Sequence, residues 1–137
     1  MPSPWKTGSD TGTADVHVLA SSLRMSNARG MLGFMRAASS VRKQLRDADG
    51  LVGYSLIAQP HRKTFWTLSA WRDQPALDAF VQAQPHHGIV DHYRPTVNGR
   101  FASWSMERAE LPNARSQARG LWAEGKARLA VADGTGA

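Results

Sequence analysis

The chain has 137 residues, no cysteine and a formal charge of +6, and 42% of it is hydrophobic, including five tryptophans. That length suits a single domain around one core. The lack of cysteine excludes disulfides, thiolate metal ligands and a cysteine nucleophile, and fits a reducing, cytoplasmic compartment. No apolar run approaches the roughly 20 residues that cross a bilayer, and the N-terminal MPSPWKTGSDTGT lacks the apolar core of a signal peptide, so neither secretion nor a membrane partner is expected. Between Val16 and Arg46 the chain carries Arg24, Arg29, Arg36, Arg42, Lys43 and Arg46 with no acidic residue, yet no basic run exceeds two residues. Scattered charge of this kind reads as a solvated helix face, and no nucleic-acid partner is expected.

Residues 1–13 are rich in Pro, Gly, Ser and Thr without periodicity and read as a disordered tail whose removal should change stability little. The run VHVLASSLR within Asp15 to Arg24 alternates, with Val16, Val18, Ala20 and Ser22 on one side and His17, Leu19, Ser21 and Leu23 on the other, which predicts a first strand. After a turn at Ser26, Asn27 and Gly30, the positions Met31, Phe34, Met35, Ala38, Val41 and Leu45 recur at helical spacing, and Asp49-Gly50 closes that helix. Leu51 to Ala58 and Lys63 to Arg72 are rich in strand formers and flank the polar Gln59-Pro60-His61-Arg62, which predicts a hairpin.

Asp73 reads as the N-cap of a second helix with an apolar stripe at Leu77, Phe80 and Val81. Pro85 should break that helix, with Pro85 to Tyr93 as its second piece. Arg94-Pro95 and Asn98-Gly99 then lead into a fourth strand, Arg100 to Met106. The order βαββαβ is the ferredoxin-like split arrangement, an α+β domain over residues 14–107 built on a four-stranded antiparallel sheet. Residues 108–137 form an extension, partly helical or disordered, in which Ala118, Leu121, Trp122, Gly125 and Leu129 share a helical face; Gly120 and Gly125 weaken it by about 1 kcal/mol each relative to alanine.

Strand alternation puts Phe65 and Trp71 on one face of their strand and Trp66 on the other, so the sheet is aromatic on both faces. One face would meet the helices and the other the sheet of a second copy, so a homodimer is expected. Histidine is the side chain best suited to exchange protons near neutral pH, and His86, His87 and His92 cluster on the broken helix. His86 shares its face with Val90 and Tyr93, whereas His87 and Asp91 pair on another. Separations of one, five and six do not suit a helical metal pair, and no metal site is expected. No P-loop, GxGxxG or G-x-S-x-G motif is present.

From Gly50 to Trp104, the strand ending in Trp71, the helix opening W-R-D-Q-P-A-L-D-A-F and the following P-H-H resemble the antibiotic-biosynthesis-monooxygenase-like branch of the dimeric α+β barrel superfamily. The resemblance implies a dimeric α+β barrel with a ligand pocket between each sheet and its helices. It further implies a monooxygenase-like enzyme of secondary metabolism with a hydrophobic aromatic or polyketide-like substrate and no cofactor. In such an enzyme the deprotonated substrate itself reduces dioxygen, so a base and a dry cavity suffice. His86 and His92 are then the candidate catalytic residues, and Tyr54, Trp66, Trp71, Phe80, Tyr93, Arg94 and Trp104 the candidate substrate-binding residues. Haem is the alternative. The haem-degrading members carry an Asn on the first strand where this chain has Ser21 and Ser22, a helix Trp where it has Phe80, and a His near Val90, while FWTLSAWRDQPALDAF followed by Pro85-His86 is similar to haem-containing carotenoid oxygenases of the spheroidene monooxygenase type. A non-catalytic ligand-binding dimer is the further alternative.

Overall fold

The computed structural model describes residues 4–8, 15–26, 31–82, 97–112, 116 and 118–131. Strands β1 (Lys6–Thr7), β2 (Val16–Met25), β3 (Leu51–Gln59), β4 (Thr64–Trp71) and β5 (Val97–Met106) and helices α1 (Met31–Arg46), α2 (Gln74–Gln82) and α3 (Arg119–Val131) follow one another as β1-β2-α1-β3-β4-α2-β5-α3. The strands form one antiparallel sheet in the order β1-β3-β4-β2-β5. Its four long strands are the expected ferredoxin-like βαββαβ set; β1 makes a fifth.

Register explains how the two faces separate. His17 of β2 lies opposite Trp71 of β4 and Ser105 of β5, and Val18 lies opposite Ala70 and Trp104. Directly opposed residues share a face and successive ones alternate, so β2 sends His17, Leu19, Ser21 and Leu23 to one side and Val16, Val18 and Ala20 to the other. On the first side Leu45 of α1 and Ala76, Leu77 and Phe80 of α2 close over Leu51, Tyr54 and Trp71. In α1, Phe34 and Leu45 are buried as the spacing predicts, but Met35 is exposed, because the inward stripe is narrower than the apolar one. Helix α2 starts where expected: the Asp73 carboxylate accepts the Ala76 backbone N–H at 2.9 Å, as an N-cap does. Gly50, at φ +83°, adopts the left-handed conformation that leads from α1 into β3, and a Cβ there would meet that of Ala76 at 2.6 Å.

The opposite face is covered by α3. Leu121, Trp122 and Leu129 pack with Val16, Val18, Ala20, Leu68 and Ala70, and Gly125 lets the helix approach Leu68 and Ala20. The Trp122 indole N–H donates to the Ser55 hydroxyl at 3.0 Å across this buried layer. The face expected to await a second copy is therefore covered in good part by the chain's own extension, since five apolar positions at helical spacing have an apolar sheet to bury against.

The N-terminal segment departs from the reading of a disordered tail. Lys6 and Thr7 pair with Tyr54 and Gly53, and the Gly8 N–H donates to the Val52 carbonyl at 2.9 Å. Trp5 is only 2% exposed and belongs to the core under α3. The site that accepts it is a bulge: the β3–β4 register skips between Leu51 and Gly53, and at Gly53 a Cβ would come within 2.5 Å of the Trp5 indole. One large ring outweighs the polar composition around it. Trp5→Ala should therefore cost about 3 kcal/mol, the scale of a truncated buried aromatic, and Gly53→Ala should destabilise by expelling the ring. Denaturant unfolding measures both.

Candidate functional site

The helix-covered face of β2, β4 and β5 is an unusual mixture. Phe34 of α1 lies 4.8 Å from Phe65 of β4 and Phe80 of α2 lies 5.1 Å from Trp71, between ring centroids, the pairs tilted by 41° and 42°. Among these rings the strands place short polar side chains: Ser21 and Ser69, both buried, and Thr67, Ser103 and Ser105. A sheet face beneath helices is ordinarily filled by branched apolar residues. Serine leaves volume and supplies a hydroxyl in the same place.

Most of the polar atoms here are committed. The Trp71 indole, 1% exposed, donates its N–H to the Ser69 hydroxyl at 2.9 Å, and the Gln44 side-chain amide of α1 donates to the Phe80 carbonyl at 3.2 Å. His17 is different. Its ring is half-buried, and its Nε2 is closed off from solvent yet has no hydrogen-bond partner, the one such buried side-chain nitrogen or oxygen among the described residues. Sequence reading placed His17 on this face but did not single it out, because a lone strand histidine carries no signal until its neighbours are known.

The candidate residues divide between the faces. Tyr54, Trp71 and Phe80 come together in the buried layer under α1 and α2. Trp66 and Trp104 lie on the other face, beneath α3, where Lys126 sits 5.5 Å over the Trp66 ring and Arg128 4.6 Å over that of Trp104. The five aromatics therefore do not wall a single pocket, because even-numbered positions of β4 face away from Trp71. His86, His92, Tyr93 and Arg94, and the broken helix that would carry them, lie outside the described residues. Among the described residues, no three His, Asp or Glu side chains form a metal-binding group.

An open groove of about 1030 Å³ runs along β5 and α3, lined by Trp104, Met106, Leu111, Leu121, Glu124 and Arg128. It is not under α1 and α2. Its aromatic wall is capped by the Arg128 guanidinium, which is itself ion-paired to Glu124 at 2.8 Å. The Arg128 and Glu124 charges are thus paired with each other, whereas the helix-covered face holds a buried polar atom without a partner.

Comparison with known proteins agrees with the architecture. Residues 32–92 match the antibiotic biosynthesis monooxygenase family. Among solved structures, the chain is similar to SnoaB, a cofactor-independent oxygenase from Streptomyces nogalater, at 16% identity and TM-score 0.51 over 73% of this chain and all of that one. It is also similar to a protein of unknown function from Nitrosomonas europaea, at 15% identity and TM-score 0.58 over 75% of this chain and all of that one. A conserved protein from Methanosarcina mazei aligns at 14% identity and TM-score 0.55 over 67% of this chain and 92% of its own. Comparison with the curated proteins finds no match.

The commitment of Ser69 to Trp71 is directly testable. Ser69→Ala should strand a buried indole N–H and cost about 1–3 kcal/mol, while Ser103→Ala, at an exposed position on the same face, should stay within about 0.5 kcal/mol of wild type; thermal and denaturant melts compare the two.

Proposed function

Because residues 32–92 carry an antibiotic biosynthesis monooxygenase domain match on a ferredoxin-like frame, we propose that this chain is a small-molecule enzyme of the monooxygenase type. Its substrate is a flat, hydrophobic aromatic or polyketide-like molecule, held between the sheet and helices α1 and α2. The observation that carries this reading is the mixture on that face, where the ring pairs Phe34–Phe65 and Trp71–Phe80 accompany buried serine hydroxyls and an unpartnered imidazole nitrogen. Rings offer flat apolar walls, and sparse polar groups orient what lies between them.

The chemistry suited to such a site needs no resident cofactor. A base removes an acidic proton from the substrate, and the resulting anion passes an electron to dioxygen. One oxygen atom ends as a carbonyl in place of two C–H bonds, and the other leaves as water with those two hydrogens. His86 and His92 remain the candidate bases, with Tyr93 and Arg94 the groups that would orient the anion. Replacing the acting base by alanine should lower turnover about 100-fold or more with folding intact, while His61→Ala, in the exposed turn between β3 and β4, should do little. Oxygen consumption with a hydroxylated polycyclic aromatic measures this. Equal, small effects at all three histidines would move the reading to a ligand-binding protein, and a Soret band on adding haemin would move it to haem-dependent chemistry.

The reading includes a homodimer. It is supported by α3, whose outer side exposes Ala123, Ala127, Ala130 and Val131 beside Arg119, Glu124, Lys126 and Arg128, while Leu121, Trp122 and Leu129 face the sheet. Strand β5 adds a ten-residue sheet edge in which the single charge is Arg100. Light scattering should give twice the 15.0 kDa chain mass at micromolar concentration, and a 15.0 kDa species alone would exclude the dimer.

A further inference from the structure

The Nε2 of His17 is the buried polar atom that neither the fold nor the chemistry above employs. His17 stands near the start of β2, flanked on its own face by Trp71 and Ser105 across the two neighbouring strands. Neither neighbour closes its hydrogen bond. The Trp71 indole N–H is taken by Ser69, and Ser105 is solvent-exposed on the edge strand. An imidazole nitrogen buried without a partner costs stability, a cost that leucine at the same position would avoid. Buried orphans of this kind are rare, and they concentrate where a ligand or reaction supplies the missing partner.

We propose that His17 Nε2 is the hydrogen-bond acceptor for a hydroxyl carried by the bound ligand, which makes His17 a specificity-determining residue of the helix-side site. This assignment rests on the helix-side reading of the ligand site given above. The ligand class follows from the surroundings. Trp71 beside the imidazole, with Phe80 against it, supplies flat apolar contact, so the group that reaches Nε2 is a phenolic or enolic hydroxyl on an aromatic framework. A site built to bond a hydroxyl discriminates strongly against the analogue that lacks it, because its own polar atom is then left unpaired. The ligand-free protein already carries that penalty, so an apolar residue in place of His17 should stabilise it, the usual trade between stability and function.

Three probes separate the possibilities: 1-naphthol, which donates a hydrogen bond; 1-methoxynaphthalene, which only accepts; and naphthalene, which does neither. Calorimetric titration of the full chain should show 1-naphthol binding about tenfold tighter than the other two, the upper range for one hydrogen bond. His17→Leu should abolish that preference, leave naphthalene affinity within about twofold, and melt at or above the wild-type temperature. His17→Gln keeps an acceptor and should retain part of the preference. A preference that survives in His17→Leu, a wild-type preference for 1-methoxynaphthalene, or a His17→Leu melting temperature many degrees lower would each overturn the assignment while leaving the helix-side site standing. Failure of all three probes to bind wild type would remove the helix-side site itself, and the assignment with it.

Discussion

A sheet whose central strands are buried on both sides must be covered twice, and this requirement organises the molecule. Strands β2 and β4 sit in the interior of the sheet, and Val18, Ala20, Leu68, Ala70 and Trp71 are all essentially without solvent contact. At roughly 25 cal/mol per Å² of buried apolar surface, leaving either side wet would forfeit a large part of a domain's marginal stability. Helices α1 and α2 cover one side. Trp5 and α3 cover the other, the first as a plug at the β3 bulge and the second as a lid whose Trp122 reaches Ser55.

The two covers differ in character. Under α3 the named polar atoms are matched: Trp122 to Ser55, Trp66 to Gln59 at 3.3 Å, and Arg128 to Glu124 above Trp104. Under α1 and α2 the layer combines rings with serines and leaves His17 Nε2 open. Packing that serves stability alone tends toward the first pattern, since an unmatched buried atom only costs free energy. Family match and fold similarity agree on the architecture, and neither fixes chemistry.

Much of the architecture was legible because it depends on local periodicity. Alternation in VHVLASSLR divided β2 between its two faces, the stripe of α1 pointed inward at Phe34 and Leu45, Asp73 capped α2, and Leu121, Trp122, Gly125 and Leu129 shared a buried helix face. The split of Trp66 from Trp71 was legible too. Its consequence, that Trp66 and Trp104 lie across the sheet from Tyr54, Trp71 and Phe80, emerges only when strands from both halves are set in register.

What the sequence by itself determined, then, is the set of elements, their order and the two-faced character of the sheet, since each follows from side-chain spacing within a few residues. Only the tertiary structure decided which face each cover takes, and why a polar N-terminal stretch holds a buried tryptophan: Trp5 finds its place at a bulge more than forty residues away, at a glycine whose missing Cβ makes room. It also decided the standing of His17. Its Nε2 is buried without a partner, across from a Trp71 whose N–H goes to Ser69, an arrangement set by the β2–β4 register and not by any spacing along the chain.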